Sequence, residues 1–200
     1  MKTKKIICVL GVPGSGKTTF GNMLKRDLDT LFLEEQFDSI SSISKERGSN
    51  SSNFEKCIGF LNMRHRQMKE AASSGARLTF VDTCFEMTEV YSKYLLNSEE
   101  LFEFKITFDI INSFVAKPDL YLFLKGDIDV LLERATKRNI EISVDIENTY
   151  LTKEVLEKSQ NEIKYFLKGK SFIELDVTSE DIRQKVNIEK ILSDINKRLL

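Results

Sequence analysis

The stretch Lys5-Ile6-Ile7-Cys8-Val9-Leu10-Gly11-Val12-Pro13-Gly14-Ser15-Gly16-Lys17-Thr18-Thr19-Phe20 decides the fold. It opens on a continuous apolar run, the pattern of a strand buried on both faces. It closes where helical spacing begins, with Phe20, Leu24, Leu28 and Leu31 on one face of a helix read from Gly16 to Leu31. Between the two, Gly11 to Thr18 is a complete G-x-x-x-x-G-K-[ST] match, the Walker A pattern. Its glycines allow a bend in which successive N–H groups point into one concavity, and the helix N-terminus adds its positive end. Phosphate oxygens suit that cradle. Lys17 can reach the outer phosphates as a point charge, and the Thr18 hydroxyl suits Mg²⁺. ATP and Mg²⁺ are therefore the expected cofactors. Gly11, Pro13, Gly14, Ser15, Gly16, Lys17, Thr18 and Thr19 are the expected nucleotide-binding residues.

Outward from this stretch, apolar runs alternate with helical patterns. Leu31 to Leu33, Leu78 to Val81, Leu120 to Leu124 and Phe172 to Leu175 read as further buried strands. Asn53 can cap a helix carrying Phe54, Cys57, Ile58, Leu61, His65 and Met68 and ending near Gly75. Asp127 can cap another. The last helix reads from Thr178, with Asp181 as a capping-box partner, and buries Ile182, Val186, Ile191 and Ile195. Strands separated by helices imply right-handed crossovers and a parallel sheet covered on both faces. The serine-rich segment from Ser39 to Asn53 reads as a loop.

The 200 residues fit one domain, 1–200, large enough to bury a core without a disulfide or metal staple. A net charge of −1 argues against duplex nucleic acid as a partner. Cys8, Cys57 and Cys84 lack the spacing of a zinc site or a disulfide frame and fit a reducing, cytoplasmic setting. No apolar run is long enough to cross a membrane, and the opening one is too short for a secretion signal.

The loop does not say what happens to the phosphate, but subtraction narrows it. The guanine-reading N-K-x-D and the D-x-x-G switch are both absent. The strand Leu78 to Asp82 ends in a single acid followed by Thr83, not in the Asp-Glu pair of motor ATPases. A lone Asp at a strand end can hold Mg²⁺ or accept a proton from a substrate hydroxyl. Arg134 and Arg138 are spaced i, i+4 and share a helix face, with Lys137 beside them. Such guanidinium forks suit the charge of a transferring phosphoryl group.

These motifs are similar to those of the deoxyribonucleoside kinases. The resemblance also rests on Leu33-Glu34-Glu35-Gln36-Phe37, on the helix from Phe54 to Gln67 with Arg64 and Gln67, and on Phe80-Val81-Asp82. It continues through Pro118 to Leu124, Leu131 to Arg138, and Tyr150-Leu151. It implies an α/β P-loop NTPase three-layer sandwich, with a parallel sheet of about five strands and a lid near 134–146. It implies ATP- and Mg²⁺-dependent phosphorylation of the 5′-hydroxyl of a nucleoside in nucleotide salvage, and a homodimer. Glu35 then matches the general base, with Glu34 the near alternative, and Lys17, Asp82, Arg134 and Arg138 complete the catalytic set. Glu35, Cys57, Phe60, Arg64 and Thr83 fall at acceptor positions.

The acceptor half departs from the family pattern. Thr83 stands where the family has Arg, Cys57 where it has a base-reading Gln, Thr88 where it has Asp, and Ile140 where the lid has a third Arg. Phe32, Phe37, Phe60, Phe85 and Tyr91 are candidates for an aromatic pocket. A nucleoside monophosphate kinase using Arg47, Arg64 or Arg66, a nucleotide-binding protein with degenerate activity, and a kinase for another hydroxyl compound stay open as readings. The helix from Phe54 to Gln67 and segment 86–115, with Tyr91, Tyr94, Phe102 and Phe104, form the expected dimer face.

Overall fold

The computed structural model of the protein describes residues 4–24, 29–35, 52–141, 151–179 and 184–199. Its strands are β1 (Lys5–Leu10), β2 (Thr30–Leu33), β3 (Leu78–Asp82), β4 (Leu120–Lys125) and β5 (Phe172–Asp176). The helices are α1 (Lys17–Leu24), α2 (Asn53–Ser73), α3 (Met87–Leu95), α4 (Ser98–Asn112), α5 (Ile128–Glu141), α6 (Lys153–Phe166) and α7 (Lys185–Leu199). The strands form one sheet in the order β2-β3-β1-β4-β5, and every neighbouring pair is parallel. β1 is central. The chain leaves it toward β2 and β3 on one side and later builds β4 and β5 on the other. The carboxyl end of β1 is therefore the switch point, where open α/β sheets bind ligands.

The apolar runs are strands because helices cover both faces. All five residues of β3 and five of the six in each of β1 and β4 are buried. Phe20 of α1 meets Phe80 of β3 edge-to-face at 5.6 Å, and a Cβ at Gly21 would collide with the Phe32 ring. That close approach seats α1, and the loop before it, against the sheet.

Three boundaries differ from the expected ones. α1 is described to Leu24; Leu28 lies outside the described residues, and Leu31 belongs to β2, where it pairs with Thr79. Strand pairing takes the apolar side chain that helical spacing had claimed. The cap of α2 is Ser52, not Asn53. The Ser52 hydroxyl accepts from Glu55 N at 3.2 Å, and Glu55 Oε2 accepts from Ser52 N at 3.0 Å. Asn53 instead donates to Leu95 O at 3.1 Å. The last helix begins at Lys185, not Thr178. Asp176 Oδ1 takes the Thr178 hydroxyl at 2.6 Å and the Thr178 and Ser179 amides, closing a turn after β5. Val186 is exposed, while Ile188, Ile191 and Ile195 are buried; Asp181 and Ile182 lie outside the described residues. Asp127 caps α5 as expected, accepting from Asp129 N and Val130 N.

Candidate active site

The loop from Gly11 to Gly16 wraps the switch point. Gly14 and Gly16 have φ of 81° and 87°, a region that L side chains enter only with strain. A Cβ at Gly11 would collide with the Leu124 carbonyl and one at Gly14 with the Leu131 carbonyl, so the loop lies in van der Waals contact with β4 and α5. Ser15 N donates to Val12 O at 3.1 Å. Lys17 Nζ folds back and donates to Gly11 O at 2.8 Å. Ser15 Oγ is buried and has no hydrogen-bond partner. Buried hydroxyls are ordinarily satisfied, so an orphan inside a concave loop suits an incoming oxygen acceptor. Thr18 and Thr19 are exposed at the start of α1, and Pro13 is exposed at the loop tip. These residues fit a nucleotide's phosphates.

Asp82 ends β3 at the register position of Val9 and is buried. Burial pushes its carboxyl above the usual carboxylate range; Lys17 opposes that rise, and Glu35 adds to it. Asp82 thus lies within electrostatic reach of both the phosphate loop and the β2 end. Thr83 follows at φ 64°, an outlier for a β-branched residue. Its amide donates to Val9 O at 3.0 Å and its hydroxyl to Asp82 Oδ1 at 3.3 Å. Among the described residues, three or more His, Cys, Asp or Glu side chains never converge as a metal-binding group. A Mg²⁺ ion would thus rest on Thr18, Asp82 and phosphate oxygens, the sparse protein coordination usual for this ion.

The third part of the site centres on Arg64 of α2. Arg64 NH2 and Nε donate to Glu35 Oε1 at 2.6 and 3.2 Å, and NH1 donates to Thr88 Oγ1 at 3.0 Å. Both ion-pair partners are buried, with side-chain exposures of 6% and 7%. Burial works to lower the Arg64 pKa, but Glu35 outweighs it, and the net shift is upward. The guanidinium lies 5.3 Å from the Phe60 ring centre and 5.8 Å from that of Tyr91. Gln67, almost one turn on, donates to Glu34 O at 2.6 Å, and its own Oε1 is buried without a partner. Cys57 is buried higher on the same helix, its thiol pushed up to about 11 by burial first and by Glu100 second.

Several expected residues lie elsewhere. Phe85 stacks on Phe108 at 5.0 Å in the core, and Phe32 packs on Gly21; of the described members of the expected aromatic pocket, Phe60 and Tyr91 meet Arg64. Phe37 and lid residues 142–146 lie outside the described residues, as does Arg47. Arg134 donates to Val177 O at 3.1 Å, and Arg138 is exposed on α5. Thr88 enters as a partner of Arg64. The sequence marks it only as a departure, because nothing local links positions 24 residues apart.

The sheet order and the loop at its switch point define a P-loop kinase fold. The chain belongs to the deoxynucleoside kinase family, whose profile matches residues 7–200. It is thus a kinase-family phosphotransferase. Deoxyguanosine kinase from Bacillus subtilis (strain 168) is 23% identical over 164 residues, covering 76% of this chain and 75% of that protein. A gluconokinase from Arabidopsis thaliana is 26% identical over 140 residues, covering 70% and 69%. The structure of deoxyadenosine kinase from M. mycoides with products dCMP and a flexible dCDP bound superposes with a TM-score of 0.72, at 19% identity over 96% of this chain and 99% of that one. Thymidylate kinase from Candida albicans gives 0.66, at 19% identity over 99% and 94%. Among the described residues no helix is long and apolar enough to cross a membrane.

Proposed function

We propose that the protein transfers the γ-phosphoryl group of ATP to the 5′-hydroxyl of a deoxynucleoside. The observation that carries this reading is the meeting of three neighbouring strand ends: the phosphate loop follows β1, Asp82 ends the adjacent β3, and Glu35 lies just beyond β2, the next strand. A phosphate-binding loop and a candidate base thus flank one carboxylate at the switch point.

In this reading Gly11 to Thr19 hold the ATP phosphates. Thr18 and Asp82 hold Mg²⁺, which when bound offsets phosphate charge. Glu35 accepts the 5′-hydroxyl proton as the new O–P bond forms and the bond to the ADP oxygen breaks. Lys17, Arg134 and Arg138 balance the charge that spreads over the transferring oxygens. Positioning and electrostatics supply most of the rate. Cys57, Phe60 and Thr83 line the acceptor side, and Arg64 lies there paired with Glu35.

A neutral acceptor suits the site better than a monophosphate. Arg64 is the buried cation of the described residues, and Glu35 already neutralises it. An acceptor phosphate would need a cation with no such partner. The same reading takes residues 1–200 as one cytoplasmic kinase domain with a lid at about 134–146.

It also includes a homodimer. Phe102, Ile106 and Ile110 of α4, with Phe114 just beyond, are 64%, 45%, 59% and 81% exposed at i, i+4 spacing. A second copy of this helix is the occupant that such a self-complementary stripe fits.

ADP release in the presence of Mg-ATP and an acceptor panel tests the reading. Release with a deoxynucleoside supports it. Release only with monophosphates assigns the protein to the nucleotide kinases, and ATP binding without acceptor-dependent release assigns it to the non-catalytic nucleotide binders.

A further inference from the structure

We infer that Arg64 is the positioning residue for Glu35: its fork holds one carboxylate oxygen and leaves the other to meet the acceptor hydroxyl. The inference rests on the proposed phosphoryl transfer to a nucleoside and concerns how that site keeps its base in place.

Two of the three donating nitrogens of Arg64 converge on Oε1 of Glu35, at 2.6 and 3.2 Å. Among the described residues, Oε2 has no hydrogen-bond partner. The guanidinium is itself fixed. Thr88 of α3 takes its third nitrogen at 3.0 Å, and the rings of Phe60 and Tyr91 flank it. A planar fork restrained on that many sides has little freedom to swing. Gln67 adds a second tether from the same helix by donating to Glu34 O at 2.6 Å. α2 thus pins residues 34 and 35 by backbone and by side chain, just where the chain leaves β2.

The charge balance points the same way. Glu35 is buried against Arg64 at 2.6 Å. Removing one partner of a buried ion pair leaves an uncompensated charge. Thr83, at the end of β3, carries no charge, and the cation beside Glu35 is Arg64 on α2.

The rival role for Arg64 is direct contact with the acceptor. A double-mutant cycle on turnover separates the two. The enzymes are wild type, Arg64→Met, Glu35→Gln and the double variant, assayed with Mg-ATP and a deoxynucleoside. If Arg64 acts through Glu35, Arg64→Met lowers kcat by about 100-fold, the size of a typical general-base contribution, and moves the acceptor KM by less than about threefold. In the Glu35→Gln background the same substitution costs less than about threefold more. Arg64→Lys keeps the charge without the fork and loses about tenfold; it carries the cycle if Arg64→Met fails to fold. A raised KM with kcat kept, or a full Arg64→Met cost surviving in the Glu35→Gln background, overturns the inference and leaves the kinase reading standing. Absence of turnover in the wild type overturns the kinase reading, and the inference with it.

Discussion

Thr83 donates its hydroxyl to Asp82 Oδ1 at 3.3 Å from a backbone held at φ 64°. A β-branched residue pays about 1–2 kcal/mol to sit there, and strain of that kind gathers at functional sites. Here the strained residue turns the chain directly after the carboxylate that faces the phosphate loop. Asn tolerates the left-handed region far better than Thr. Thr83→Asn is expected to raise Tm by about 2–4 °C, corresponding to about 1 kcal/mol in a chain of this size. Thermal unfolding measures it, and an unchanged or lower Tm contradicts the strain.

The surroundings of Asp82 set the sign of a stability change with pH. Its carboxyl is raised because burial, reinforced by Glu35, outweighs Lys17. The folded protein therefore holds that proton more tightly than the unfolded chain does. Ionised Asp82 costs stability at neutral pH, and the cost disappears as pH falls below the ordinary carboxylate pKa of about 4. Asp82→Asn is expected to raise Tm at pH 7.5, with the gain fading toward pH 4, while turnover falls at least about 100-fold. A Tm that drops at pH 7.5 would show that the Lys17 attraction dominates instead.

Lys17 is half-buried at the start of α1, and its ammonium donates to the Gly11 carbonyl at 2.8 Å. Lys17→Ala should thus leave Tm within about 2 °C of wild type while turnover falls about 1,000-fold or more. Loss of folding in this variant would contradict the view that the lysine serves the ligand and not the loop.

How much of this could be read from the sequence follows from how far apart the interacting residues lie. The phosphate loop is contiguous, so Gly11 to Thr18 revealed it, and the buried runs Ile6 to Leu10, Leu78 to Val81 and Leu120 to Leu124 placed three strands. Asp82 was legible because it ends one of those runs. The Arg64–Glu35 pair was not, since it joins residues 29 apart on different elements. Resemblance named both residues, but only the fold shows that they hold each other. The start of α7 failed for the opposite reason. Thr178 and Asp181 imitate a capping box locally, while Asp176 takes the Thr178 amide and hydroxyl into a turn.

The exposed stripe on α4 makes a separate prediction. Replacing Ile106 or Ile110 with Glu puts a charge at the centre of the proposed self-contact and leaves the core untouched, since both side chains are exposed. Sedimentation is expected to show a dimer for the wild type and a monomer for either variant, with Tm measured at equal concentration falling as the dimer is lost. A wild-type monomer at all concentrations rules out this face as the interface.

The most direct test of the central claim follows the labelled phosphate itself. ATP labelled in its γ-phosphate is incubated with Mg²⁺, the wild-type protein and each deoxynucleoside in turn, with Lys17→Ala as the blank. The account predicts label recovered in a deoxynucleoside 5′-monophosphate, in amounts equal to the ADP formed and absent from the blank. Label that stays in ATP, appears only as free phosphate, or reaches a product only when a monophosphate is supplied would contradict it.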